Sequence, residues 1–125
     1  MSKTILIADD STMSRLTVKK NLPADWAATI HEAKNGLEAM EQLQKHTIEV
    51  LFLDLTMPEM DGFAVLERLS DPAVDVHKPA IFILSADIQP ESMQLCKERG
   101  ALAFVSKPIT AEALAGVLRE QGLLS

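Results

Sequence analysis

A doubly wound α/β domain, with five parallel strands and helices on both faces of the sheet, is the fold class this sequence predicts. Short apolar runs and segments of helical spacing alternate five times along 125 residues, the rhythm of strands joined by crossover helices. Three of the runs are apolar without interruption, as strands buried on both faces are. No internal repeat and no Pro-, Gly- or Ser-rich linker divides the chain, so residues 1–125 read as one domain.

The first run, Thr4-Ile5-Leu6-Ile7-Ala8, is continuous and predicts a central strand. A helix follows with Met13, Leu16 and Lys20 through Leu22 on its spacing, and it stops before Pro23. Ala28-Thr29-Ile30-His31-Glu32-Ala33 is more mixed and belongs nearer an edge. Asn35-Gly36 is a turn signal and opens a second helix carrying Leu37, Met40 and Leu43. Val50-Leu51-Phe52-Leu53 is the third strand, and Asp61-Gly62 precedes a helix with Phe63, Leu66 and Leu69 at three-residue steps. The stretch from Ser70 to Lys78 is the longest irregular one and reads as a surface connection. Ala80-Ile81-Phe82-Ile83-Leu84 is the fourth strand. The next helix runs from Pro90 to Arg99, with Lys97 and Arg99 in its last turn and Gly100 as a left-handed cap. Leu102-Ala103-Phe104-Val105 is the fifth strand, and Thr110 caps a last helix carrying Leu114, Val117 and Leu118.

Composition excludes several classes. With 47% apolar and 24% charged residues the chain is an ordinary globular one rather than disordered or low-complexity. No apolar run approaches the ~20 residues that span a bilayer, and no cleavage-site pattern follows Met1-Ser2-Lys3-Thr4. A membrane-inserted or secreted protein is therefore not expected, and a cytoplasmic one is. Twelve basic residues against eighteen acidic ones give a charge of −6, which disfavours direct nucleic-acid binding. A lone Cys96 excludes an internal disulfide or a cysteine zinc cluster, and it reads as a helix residue packing as a small hydrophobe. Met13, Met40, Met57, Met60 and Met93 read as packing residues. His31, His46 and His77 are too scattered for a metal triad and read as surface or structural groups.

In an open parallel sheet, ligands bind outside the carboxyl ends of the strands. Here the first strand ends in Asp9-Asp10, the third in Asp54, the fourth in Ser85 and the fifth in Ser106-Lys107; the second contributes no comparable group. Taken singly, Asp10-Ser11-Thr12 reads equally as a helix cap, Asp54 as a turn residue and Lys107-Pro108 as a solvated loop. Their joint placement is what points to chemistry. Three carboxylates brought together repel unless a cation sits among them. Mg²⁺, hard and oxygen-seeking, is the natural candidate, with Mn²⁺ as an alternative. With Lys107 opposite, the pocket suits a phosphoryl group, and Asp54 suits the role of an aspartyl-phosphate nucleophile.

These residues resemble the receiver domain of bacterial two-component response regulators, and especially the stand-alone, chemotaxis-type receivers. The matching pieces are Asp9-Asp10, the run Asp54-Leu55-Thr56-Met57-Pro58-Glu59-Met60-Asp61-Gly62, Ser85-Ala86 and Lys107-Pro108, in order along the whole chain. The resemblance implies a flavodoxin-like sheet of strand order 2-1-3-4-5. It implies Asp54 as the phospho-acceptor and Asp9, Asp10, Asp54 and the Thr56 carbonyl as the Mg²⁺ ligands. It further implies Ser85 and Lys107 as partners of the phosphoryl oxygens, Ser85 and Phe104 as switch residues, and a cis bond before Pro108. Thr56 and Asp87 fall where the family tunes phosphoryl lifetime. The implied donor is a histidine kinase or phosphotransfer domain. The implied output is a protein target read by the surface of the fourth helix, fifth strand and fifth helix, on a monomer or weak dimer. Such a domain assists its own phosphorylation and dephosphorylation but is a signalling switch, not a metabolic enzyme.

Some positions depart from common family members. Leu55 stands where some carry Trp, while Trp26 lies elsewhere; Ser85 stands for the commoner Thr; Phe104 lacks a phenolic hydroxyl, so a switch there rests on packing. A Mg²⁺-dependent phosphohydrolase of the haloacid dehalogenase type needs a second Asp where Thr56 stands, and a cap domain. A pseudo-receiver would not need the full acidic set, and a flavin module would need a phosphate-binding loop after the first strand. The initial Met and the ending soon after the last helix favour a chain that works alone.

Overall fold

The alternating runs resolve into five parallel strands in the order β2-β1-β3-β4-β5, as the resemblance implies. The computed structural model describes residues 3–86 and 89–122. The strands are β1 (Lys3–Ala8), β2 (Ala28–Ala33), β3 (Val50–Asp54), β4 (Ala80–Ser85) and β5 (Ala101–Ser106). Between and after them lie α1 (Thr12–Lys20), α2 (Gly36–Lys45), α3 (Gly62–Ser70), α4 (Pro90–Glu98) and α5 (Ala111–Glu120). The mixed strand β2 does lie at an edge, and the uninterrupted runs β1, β3 and β4 fill the middle, where every residue of β3 is buried.

Because successive strand residues face opposite sides, each central strand feeds two cores. Leu6, Leu51, Leu53, Ile81 and Ile83 pack under α2, α3 and α4 with Leu43, Leu66 and Cys96. Ile5, Ile7, Phe52, Phe82 and Leu84 pack under α1 and α5 with Val18, Leu114 and Leu118. Phe52 and Phe82 are neighbours in register, and their rings stack with centroids 5.6 Å apart. Parallel register brings the carboxyl ends of β1, β3, β4 and β5 to one edge, with Asp54 beside Leu84 and Ser85 beside Ser106.

Side-chain caps start four helices at that edge or close to it. The Ser11, Asn35, Asp61 and Thr110 oxygens accept from the amides of Ser14, Glu38, Ala64 and Ala113. Gly100, after α4, adopts φ +101°, the left-handed cap its position implies.

Several boundaries and burial expectations need correction. Helix α1 ends at Lys20, capped by Asn21, so the expected extension toward Leu22 is a turn instead, followed by a 3-10 turn over Ala24–Trp26. Strand β5 starts one residue earlier than the apolar run, at Ala101. Met40 and Met57 are core residues and Met60 packs against the core, but Met13 is 69% exposed, because α1 turns it away from the sheet. No helix among the described residues is long and apolar enough to cross a membrane.

Candidate functional site

Strand geometry assembles the site. Asp9 follows the last residue of β1, Asp54 ends β3 and Ser85 ends β4; all three are buried. Asp10 is exposed at the mouth. One carboxylate oxygen from each of Asp9, Asp10 and Asp54 lies within 4.8 Å of the others. Asp10, Asp54, Thr56, Ser85, Ala86 and Lys107 line an open cavity of about 350 Å³.

Lys107 closes the cluster. Its Nζ lies 2.8 Å from Asp9 Oδ2 and 3.5 Å from Asp54 Oδ2. The Lys107 amide donates to the Ser85 carbonyl at 3.0 Å, tying the β5–α5 turn to β4. The Lys107–Pro108 bond is cis, in agreement with the resemblance. The Thr56 amide donates to Asp54 Oδ1 at 3.3 Å, and the Ser11 amide donates to Asp9 Oδ1 at 2.9 Å.

Electrostatics follow from this crowding. Burial, and then the neighbouring charge of Asp9, push the Asp54 carboxyl up to about 6, with Lys107 pulling the other way. Burial works against the Lys107 ammonium, but its close contact with Asp9 and the charges of Asp54 and Asp9 outweigh it and raise its pKa. The lysine is therefore a fixed cation at neutral pH.

The donor set fits a hard divalent cation. Three carboxylates face one ammonium. Asp9 Oδ2 meets Lys107 as a close ion pair but has no directed hydrogen bond, although it is buried. Both features are relieved by an oxygen-seeking cation.

The sequence-predicted residues Asp9, Asp10, Asp54, Thr56, Ser85 and Lys107 thus come together. Phe104 lies two residues before Ser106 on β5, paired in register with Ile83, and packs half-buried against the α2–α3–α4 core. Asp87 lies outside the described residues. Two arrangements were not foreseen. Strand β2 contributes to the site indirectly: Glu32, one residue before its end, pairs with Arg15, and Arg15 reaches the Asp9 backbone. His31 and His46 stack, with ring centroids 3.9 Å apart; the strand-to-helix step that joins them leaves no local sequence signal. The loop after β3 is also pinned, since the Gly36 amide donates to the Met60 carbonyl at 2.8 Å and the Gly62 amide to that of Leu55 at 3.1 Å.

A doubly wound sheet carrying an acidic cluster and a lysine at its carboxyl edge is the architecture of a receiver, the signalling module of two-component systems. The chain belongs to the response regulator receiver domain family, whose sequence model matches residues 5–119. Within it the chain is CheY-like. It is 31% identical over 113 residues to the chemotaxis protein CheY of Bacillus subtilis, covering 90% of this chain and 91% of that protein. The high-resolution structure of the chemotaxis response regulator CheY4 of Vibrio cholerae superposes with a TM-score of 0.82 at 28% identity, over 96% of this chain and 98% of that one. A probable cyclic di-GMP phosphodiesterase of Vibrio cholerae is 35% identical over 111 residues, covering 89% of this chain but 24% of that larger protein. Receivers bind Mg²⁺ at the acidic pocket, and the Asp9, Asp10 and Asp54 cluster occupies that place here.

Proposed function

We propose that this chain is a phosphorylation-dependent switch in which Asp54 accepts a phosphoryl group from the phosphohistidine of a histidine kinase or phosphotransfer domain. The observation that carries the reading is the convergence of the Asp9, Asp10 and Asp54 carboxylates on the Lys107 ammonium in one open pocket. Asp9, Asp10, Asp54 and the Thr56 carbonyl would hold Mg²⁺, which when bound neutralises charge on the carboxylates and the phosphoryl oxygens.

The chain's own groups do the rest. An Asp54 carboxylate oxygen attacks phosphorus as the P–N bond to the donor imidazole breaks, and the ring leaves neutral when its other nitrogen carries a proton. Lys107 pairs with a phosphoryl oxygen, and the Ser85 hydroxyl donates to another. Drawing Ser85 toward the phosphoryl group lets Phe104 repack inward. That packing change alters the α4–β5–α5 face, which a protein target reads: a population shift biased by local charge. Thr56 at the mouth, and Asp87, tune the lifetime of the phosphoryl group by shaping the approach of water. The domain acts as monomer or weak dimer, without contact to nucleic acid.

The test is intact-mass spectrometry after incubation with acetyl phosphate, with and without Mg²⁺, beside Asp54→Asn. A single Mg²⁺-dependent phosphoryl adduct, lost in the variant, is expected. No adduct under rapid quenching, together with no beryllofluoride binding, would make the site a dead scaffold.

A further inference from the structure

Outside the pocket, a chain of charged groups runs from β2 to the backbone of the acidic pair. Arg15, on the second turn of α1, has a side chain only 15% exposed. Its Nη1 donates to the Asp9 carbonyl at 2.6 Å, its Nε to Glu32 Oε1 at 2.8 Å and its Nη2 to Thr12 Oγ1 at 3.3 Å. Lys19 holds the other Glu32 oxygen at 3.0 Å. These bonds draw Glu32 below the usual carboxylate range, first through Lys19, with burial opposing and Arg15 adding.

The Asp9 carbonyl belongs to the peptide unit that joins Asp9 to Asp10. On its other side, the Asp9 amide donates to the Ala33 carbonyl of β2 at 2.9 Å. The strand thus fixes the entry to this unit, and Arg15 fixes its plane. Because the unit is planar, fixing its carbonyl sets ψ at Asp9 and φ at Asp10. These are the torsions that set the direction in which each Cα–Cβ bond, and so each carboxylate, leaves the backbone. A guanidinium suits the task, since its rigid fork spans a carbonyl and a carboxylate from separate nitrogens, whereas an ammonium offers its donors from a single atom on a flexible stem.

We propose that Arg15, itself held by Glu32, is a positioning residue for the divalent-cation site: it locks the Asp9–Asp10 peptide so that both carboxylates stay aimed into the pocket. The inference rests on the Mg²⁺-binding reading of that pocket. It assigns to β2 and α1 a part in metal affinity although neither Arg15 nor Glu32 lines the cavity. Outer residues that orient metal ligands typically matter by about tenfold or more in affinity.

The experiment is calorimetric titration of the metal-free protein with MgCl₂, for wild type, Arg15→Ala, Arg15→Lys, Glu32→Gln and Asp10→Asn. Melting temperatures and acetyl-phosphate labelling across a Mg²⁺ series accompany it. Arg15→Ala is expected to weaken Mg²⁺ binding roughly tenfold, and to lower the labelling rate at saturating Mg²⁺ by much less. Arg15→Lys should recover part of the loss and Glu32→Gln should show a smaller shift of the same sign. Variants that melt earlier yet bind Mg²⁺ like wild type would overturn the proposal and leave Arg15 a purely structural residue. Wild type and Asp10→Asn alike failing to bind Mg²⁺ would instead sink the reading of the pocket, and this inference with it. Should Arg15→Ala not fold, Arg15→Lys and Glu32→Gln decide by the same criterion.

Discussion

Asp54 is a strained choice for a strand end, and its ionisation shows the cost. Its folded pKa of about 6 stands above the ordinary 3.8, so the folded state binds a proton more readily than the unfolded chain. The stability tied to this proton is complete below the unfolded value and is lost as pH rises through about 6. Asp54→Asn, which mimics the neutral acid, should therefore stabilise the metal-free protein at pH 7.5 by about 1–3 kcal/mol and do almost nothing at pH 4. Urea denaturation at the two pH values checks this; equal effects at both would contradict it. His31 has the opposite sign. Burial first, then the charge of His46, lower its pKa from 6.5. Its contribution is intact above 6.5 and drains away as pH falls below it, so His31→Gln should flatten the loss of melting temperature between pH 6.5 and 5. Of these two residues, Asp54 was legible, because it ends an apolar strand. The stacked histidines were not, because only the crossover from β2 to α2 brings residues 31 and 46 together.

At the scale of elements, the two glycines that open α2 and α3 show why a correct signal can carry the wrong reason. Asn35-Gly36 reads as a turn signal and Asp61-Gly62 as the lead into a helix, and both pairs do open helices, with Asn35 and Asp61 as caps and the glycines as first helical residues. Yet among the described glycines only Gly100 and Gly122 take positive φ. Gly36 and Gly62 are required by space instead. A Cβ on Gly62 would strike the Asp54 carbonyl and the Leu55 backbone, and one on Gly36 would strike the Met60 carbonyl and side chain. Backbone cannot step aside as a flexible side chain does. Gly62→Ala is thus expected to cost roughly 1–3 kcal/mol and to slow acetyl-phosphate labelling by displacing Asp54, whereas Gly116→Ala, in open space inside α5, should stabilise by about 0.5–1 kcal/mol and leave labelling unchanged. Comparing labelling rates and melting curves for the two variants tests it. The same scale explains the misplaced end of α1. Its apolar spacing continues past Lys20 toward Leu22, but Asn21 folds back, its side chain donating to the Thr17 carbonyl at 2.8 Å, and stops the helix.

For the whole molecule, the central strands were legible because burial on both faces leaves an uninterrupted apolar run, and nothing local competes with it, whereas the sheet order came from the family resemblance. The candidate chemistry sat where parallel strands must end. What escaped was lateral: Arg15 bridging two elements, and the outward turn of Met13, both set by how helices rotate on the sheet. The acidic edge also predicts a linkage. Saturating Mg²⁺ should raise the melting temperature of wild type, by an amount corresponding to about 2.7 kcal/mol at a hundred times the dissociation constant, and Asp10→Asn should abolish most of that gain. Differential scanning fluorimetry with MgCl₂ against matched NaCl separates this from ionic strength. Trp26, the chain's single tryptophan, is 3% exposed in the layer beneath α1 and α5, with the Lys3 ammonium 5.5 Å from its ring. Its emission is consequently a witness to one hydrophobic layer, silent about the other and about the acidic edge. Denaturation followed by that emission and by far-ultraviolet circular dichroism should trace one coincident curve, because the shared sheet leaves neither layer a way to melt by itself.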